Sequence, residues 1–153
     1  FDLIYIPFNT FQHLLMEDEQ MSCLKSAAAH MHENSHFVLD VMNSEQVILN
    51  INDEWKLDYS SVLQDGSKIE RYQKTIGVER DTSIVHKVFM YKEIRDGQTI
   101  GAREFDALMK ITPNEKLQEI IVRSGLDIKD IWSDYSFGHD NATKKKIYFL
   151  QLQ

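Results

Sequence analysis

The chain has a single cysteine, Cys23, so no disulfide can form within it, and a reducing, cytoplasmic setting is expected. It also lacks surplus positive charge. The net charge is −7, which opposes binding along a phosphate backbone, where clustered Lys and Arg are needed, so no nucleic-acid partner is expected. The one basic run, Lys144-Lys145-Lys146, leads into an apolar segment and reads as a solvated turn or sheet edge. No apolar run approaches the roughly 18–20 residues that span a bilayer, so no membrane partner is expected either. Glycine is sparse: Gly66, Gly77, Gly97, Gly101, Gly125 and Gly138, none of them spaced as G-x-G. That excludes from these residues the glycine-rich turn with which open α/β sheets bring backbone against a cofactor. No signal peptide is visible. The chain opens on Phe1-Asp2-Leu3-Ile4 without a polar tail, as a fragment, a processed chain or a trimmed one would.

What is present suits one folded domain: 153 residues, of which 42% are hydrophobic. Leu3-Ile4-Tyr5-Ile6, ending at Pro7, is a short continuous apolar run, the pattern of a parallel strand covered on both faces. A helix is expected from Asp18 to His32. Met21, Leu24, Ala28 and Met31 form its buried stripe, Glu17, Asp18 and Glu19 favour its positive end, and Asn34 closes it. A second buried strand, His36 to Met42, completes a βαβ unit with parallel strands.

The middle of the chain changes period. Trp55, Leu57 and Tyr59 alternate with polar residues. Asp65-Gly66 and Asp96-Gly97 are hairpin turns, and strands are expected at Ile69–Val78, Ser83–Ile94 and Ile100–Ile111. These make an antiparallel meander inserted in an α/β pattern. The α/β pattern resumes at Thr112-Pro113-Asn114-Glu115, a helix start with Thr as cap and Pro first. Leu117, Ile120 and Ile121 form the buried face of that helix and Gly125 ends it. Strands follow at Ile128–Trp132 and Lys146–Leu152, separated by a polar loop.

Several segments, in order, resemble class I S-adenosylmethionine-dependent methyltransferases. Phe1-Asp2-Leu3-Ile4 through Phe8-Asn9-Thr10-Phe11-Gln12-His13-Leu14 is similar to their fourth strand and following loop. The likeness is greatest to a small-molecule subgroup with a β-sheet insertion, including sugar N,N-dimethyltransferase-like enzymes. Phe37-Val38-Leu39-Asp40-Val41-Met42-Asn43 resembles the fifth strand. Ile111-Thr112-Pro113-Asn114-Glu115 with Leu117 and Ser124-Gly125-Leu126 resembles the helix before the sixth. The last strand would be the seventh, which runs antiparallel to the rest.

The resemblance implies an α/β fold: the C-terminal part of a Rossmann-like methyltransferase sheet, strands four to seven, with an antiparallel β insertion. Residues 1–153 would be a single domain lacking its N-terminal cofactor-binding half, and residues 53–111 the insertion, either covering the active site or mediating dimerisation. The family's glycine turn and the acidic residue that bonds the ribose lie outside this sequence, and Asn34-Ser35 replaces another family glycine. S-adenosylmethionine is the implied cofactor, bound weakly or not at all by this chain alone.

Methyl transfer is an in-line displacement in which the enzyme mainly aligns the nucleophile, with a base where that nucleophile arrives protonated. Ligands of open α/β sheets sit beyond the carboxyl ends of the strands, here Pro7 to His13 and Asp40 to Asn43. By the resemblance, Phe8, Asn9 and Thr10 would border the cofactor, and His13 would face cofactor and substrate. His13 would orient the nucleophile or accept its proton; otherwise it caps a helix or bonds to backbone. Asp40 reads as a carboxylate bonded to nearby amides in preference to a catalytic group. Asn43 bonds substrate or makes the turn after its strand, and Tyr135 lines the substrate pocket or is structural. His30, His32 and His36 lack ligand spacing, so no metal is expected. The partners implied are a small-molecule methyl acceptor and a second copy in a homodimer. A rival reading is a non-catalytic α/β association module or inactive fragment, because an apolar first strand with an open edge invites pairing.

Overall fold

The computed structural model describes residues 1–47 and 52–153. The chain divides into two compact units, Phe1–Leu49 with Lys110–Gln153, and Asn50–Met109.

The first unit is α/β. Strand β1 (Leu3–Ile6) leads through a 3-10 turn (Thr10–His13) into helix α1 (Glu17–Ala29) and strand β2 (His36–Met42). A short helix α2 (Ser44–Val47) follows, and after the second unit come α3 (Asn114–Arg123), β7 (Leu126–Trp132) and β8 (Lys145–Leu152). The sheet order is β1-β2-β8-β7. β1 and β2 are parallel, with Leu3 opposite His36 and Ile6 opposite Leu39, as the βαβ pattern requires. β8 is antiparallel to both β2 and β7.

One face of this sheet carries the core. Phe37, Leu39 and Val41 of β2 pack with Tyr148 and Leu150 of β8, Leu24 of α1, and Leu117, Ile120 and Ile121 of α3. The expected stripes of both helices are the faces buried here. Both helices therefore serve the same side of the sheet, and this corrects the reading of β1. Ile4 and Ile6 pack on the core, but Leu3 is 56% and Tyr5 65% exposed. The apolar run is covered on one face, not two. Val38, Phe149 and Trp132 share the opposite face with Tyr5, and Trp132 stacks on Phe149 with centroids 5.1 Å apart.

Helix ends also differ from expectation. α1 stops at Ala29, where the His30 ring bonds the Ser26 carbonyl at 2.7 Å. Asn34 is not left-handed; the following Ser35 makes the turn, its hydroxyl accepting the His32 N–H at 2.8 Å and donating to the Phe1 carbonyl at 2.6 Å. At α3 the cap position is Pro113, one residue later than expected, because the buried Thr112 hydroxyl donates to Gln20 Oε1 at 2.9 Å and cannot reach the helix. Gly125 ends α3 with φ 88°, the left-handed conformation that favours glycine.

The second unit is the meander β3 (Lys56–Val62), β4 (Lys68–Glu79), β5 (Ile84–Arg95) and β6 (Gln98–Lys110), in that order across the sheet. Its turns are those expected, with Gly66 at φ 82° and Asp96-Gly97 at 51° and 75°. No helix among the described residues is long and apolar enough to cross a membrane.

Candidate functional site

Beyond the carboxyl end of β1 the chain bends sharply. Phe8 and Asn9 are both left-handed, at φ 55° and 61°. Asn tolerates this region, but a bulky Phe is strained there and must be held by its surroundings. Asp40 on β2 holds it twice. Its backbone carbonyl accepts the Asn9 N–H at 3.2 Å, and its Oδ2 accepts the Phe8 N–H at 3.1 Å.

The bend feeds the 3-10 turn, in which Phe11 is buried in the core and Gln12 is buried against β2, its Oε1 accepting the Met42 N–H at 3.1 Å. Thr10 and His13, three residues apart and so eclipsed in such a turn, remain exposed. The Thr10 hydroxyl donates to the Pro7 carbonyl at 2.7 Å. The Phe8 ring is 78% exposed.

Asp40 has further partners. It is 1% exposed, and the same Oδ2 accepts the Tyr135 hydroxyl at 2.5 Å and the Lys145 ammonium at 3.0 Å. The Lys145 Nζ lies between two rings, 4.7 Å from the centroid of Tyr135 and 5.8 Å from that of Phe8. Burial of the Tyr135 hydroxyl, reinforced by the carboxylate it donates to, pushes its pKa up to about 12. At neutral pH Tyr135 is thus a proton donor to Asp40, not a base. Its loop folds on Asp134, whose Oδ1 accepts the Ser136 and Gly138 N–H groups at 2.7 and 3.1 Å.

The structure thus brings Phe8, Asp40, Tyr135 and Lys145 together, and sets Asn9, Thr10 and His13 along the same loop. Asn43 is elsewhere in character. It is wholly buried, and its amide nitrogen donates to the carbonyls of Asn141 (3.2 Å) and Thr143 (2.9 Å). Its Oδ1 accepts from the Glu45 N–H at 3.2 Å and Asn114 Nδ2 at 2.9 Å. The nearby histidines are engaged separately: His30 with Ser26, His32 with Asp2, and His36 against the Phe149 ring.

Lys145 is the residue that sequence reasoning misplaced. It is not part of a merely solvated basic run, because it starts β8 on the face that carries Asp40 and reaches that carboxylate. The signal was an aspartate inside an apolar strand: a buried carboxylate requires a partner, and Lys and Tyr side chains are its usual ones.

No protein-family model matches the chain, and no curated protein sequence does. Solved structures do match. An S-adenosylmethionine-dependent methyltransferase from Clostridium acetobutylicum aligns with 99% of this chain and 58% of its own length, with TM-score 0.79 and 15% identity. The CcbJ methyltransferase from Streptomyces caelestis aligns with 99% of this chain and 61% of its own, with TM-score 0.75 and 17% identity. CalS10, an amino pentose methyltransferase from Micromonospora echinaspora, aligns with 100% of this chain and 58% of its own, with TM-score 0.69 and 16% identity. The likeness is one of fold: this chain shares the α/β fold of the aligned part of these methyltransferases. The chain spans about three-fifths of the length of these solved proteins.

Proposed function

We propose that this chain is the substrate-side, C-terminal half of an S-adenosylmethionine-dependent methyltransferase that acts on a small molecule, in the subgroup that includes sugar N-methyltransferases. The observation that carries this reading is the parallel β1-β2 pair, bordered by antiparallel β8 and β7, with a strained bend held at the carboxyl end of β1. Ligands of open α/β sheets bind at such an end. In this reading Phe8, Asn9 and Thr10 border S-adenosylmethionine. His13 orients the acceptor or takes its proton, and Tyr135 contacts the acceptor. Asn43, whose amide is saturated by protein partners, supports the substrate loop from beneath. The protein works in a reducing cytoplasm as a homodimer.

The test is a titration of this chain with S-adenosylhomocysteine at millimolar concentration, followed by amide NMR. Shifts concentrated in Phe8 to His13 are expected, with weak affinity. No shift in that segment, together with no methyl transfer to amine or hydroxyl acceptors, counts against the reading.

A second reading, a non-catalytic association module, is favoured by the exposed apolar flank of β1. A groove of about 400 Å³ there is lined by Phe1, Leu3, Tyr5, Ala27 and His30, among others. Sedimentation separates the outcomes: a monomer at all concentrations removes both this reading and the homodimer.

A further inference from the structure

We propose that Asp40 is a positioning residue that makes the two loops of the site move as one. One loop is the Phe8–His13 bend and the other is the Tyr135 loop between β7 and β8. The functional meaning of this coupling rests on the methyltransferase reading; the coupling itself does not.

Asp40 receives a donor from each loop on one oxygen. The Phe8 N–H comes from the bend, at 3.1 Å, and the Tyr135 hydroxyl from the other loop, at 2.5 Å. Lys145 Nζ, at 3.0 Å, balances the charge and fills the space between the Phe8 and Tyr135 rings. The three donors come from residues 32, 95 and 105 positions away in sequence. Asp40 itself is fixed, since it lies inside β2 with Ile147 of β8 as its register partner. A carboxylate on a paired strand is therefore a point to which both loops are tied. Hydrogen bonds to an ionised acceptor are about twice as strong as neutral ones, so this tie is not a passive contact.

The bend needs such a tie. Phe8 at φ 55° has no local reason to be left-handed, and its ring is exposed rather than packed. Without the charge of Asp40 the bend relaxes toward extended backbone. The second oxygen of Asp40 adds a separate observation. Oδ1 is buried and has no hydrogen-bond partner among the described residues. A buried carboxylate oxygen left without a donor is retained at a cost, which suits a residue kept for geometry rather than stability.

Site-resolved amide exchange on this chain, comparing the wild type with D40N and Y135F, tests the proposal without cofactor or acceptor. It is therefore independent of whether methyl transfer occurs. In D40N the Phe8, Ser136 and Gly138 amides are expected to exchange about tenfold faster, the size of one lost charge-assisted bond. Core amides of Leu39 and Leu150 should change little. In Y135F, which removes only the hydroxyl that reaches Asp40, the Ser136 and Gly138 amides should exchange faster. The Lys145 ε-methylene protons should also move downfield as their ring partner loosens. Uniform acceleration through β2 and β8 in D40N would make Asp40 a packing residue and overturn the proposal. So would acceleration of one loop alone in D40N, or unchanged Ser136, Gly138 and Lys145 signals in Y135F.

Discussion

Phe37, Leu39, Ile121, Tyr148 and Leu150 of the α/β unit are wholly buried, whereas Leu57, Tyr59, Ile100 and Phe105 of the β unit are each 51–52% exposed. Two helices give the first unit a covered sheet face. The second unit is a four-stranded sheet whose buried apolar side chains are few, among them Val85 and Val88. Cross-strand polar pairs help hold that sheet. Arg71 makes a two-pronged bond to Asp58, Nε to Oδ1 at 3.0 Å and Nη2 to Oδ2 at 2.9 Å. Lys92 lies over the Tyr72 ring at 4.8 Å and Lys74 over Trp55 at 4.9 Å. Such partly exposed pairs are individually weak. The difference teaches where a precise site can be built. A constellation such as Asp40 with Tyr135 and Lys145 needs a strand whose position is over-determined by packing, and the α/β unit supplies it.

The largest expected effect breaks this contrast directly. Phe37→Ala is expected to cost about 3–5 kcal/mol, because it empties a fully packed position. Tyr59→Ala in the β unit should stay within about 1 kcal/mol, since half of the side chain is already in water. Urea unfolding followed by circular dichroism measures both. Comparable losses would mean that the β unit is packed as tightly as the α/β unit.

Next in size is Asn43→Ala, at about 2 kcal/mol, because it leaves the Asn141 and Thr143 carbonyls and the Asn114 amide short of a partner inside the protein. The same denaturation series checks it. A neutral result would show that water replaces the amide and that Asn43 is less committed to the scaffold than its bonds imply.

A smaller effect compares two glycines. Gly125→Ala forces an L residue to φ 88° at the end of α3 and should cost about 1 kcal/mol. Gly77, at the register shift of β4, has ordinary φ and open space around its Cβ position, so Gly77→Ala should change stability by only a few tenths of a kcal/mol. Thermal midpoints of the two variants separate backbone strain in one unit from tolerance in the other.

Much of this architecture was legible in the residues. The run of Phe37 to Val41, the three-four spacing of α3 and the two Asp-Gly turns each state one element through local chemistry. The one-sided cover of β1 was not legible, because a continuous apolar run reads the same whether one face or two are packed. The helix α3 began one residue late because the Thr112 hydroxyl found Gln20, 92 positions earlier in the chain. The candidate site was half legible. The loop from Phe8 to His13 stands in the sequence as a unit, but its anchor does not. Asp40 and Lys145 meet only because β8 pairs antiparallel to β2 in one register, with Asp40 opposite Ile147. A shift of one residue would place Lys145 on the other face.

The smallest expected effect is a local one, in acid. The Asp130 carboxylate is held below its ordinary value, first by the Trp132 indole N–H donating at 2.7 Å, with the Ile131 N–H and His139 assisting. A carboxyl group whose pKa is depressed on folding favours the folded state above its unfolded pKa, here 3.8, and loses that contribution as pH falls through the folded value. Trp132 reports the event, since its indole loses an ionised acceptor while still stacked on Phe149. The expected result is a change in tryptophan fluorescence below pH 3.8 that precedes unfolding and is absent in Asp130→Asn. Trp55 of the β unit has a lysine, not a carboxylate, over its ring, so Trp55→Phe should leave that acid change intact. If the change vanishes with Trp55 and persists in Asp130→Asn, the acid-sensitive element belongs to the β unit, and the contrast between the two units would have to be redrawn.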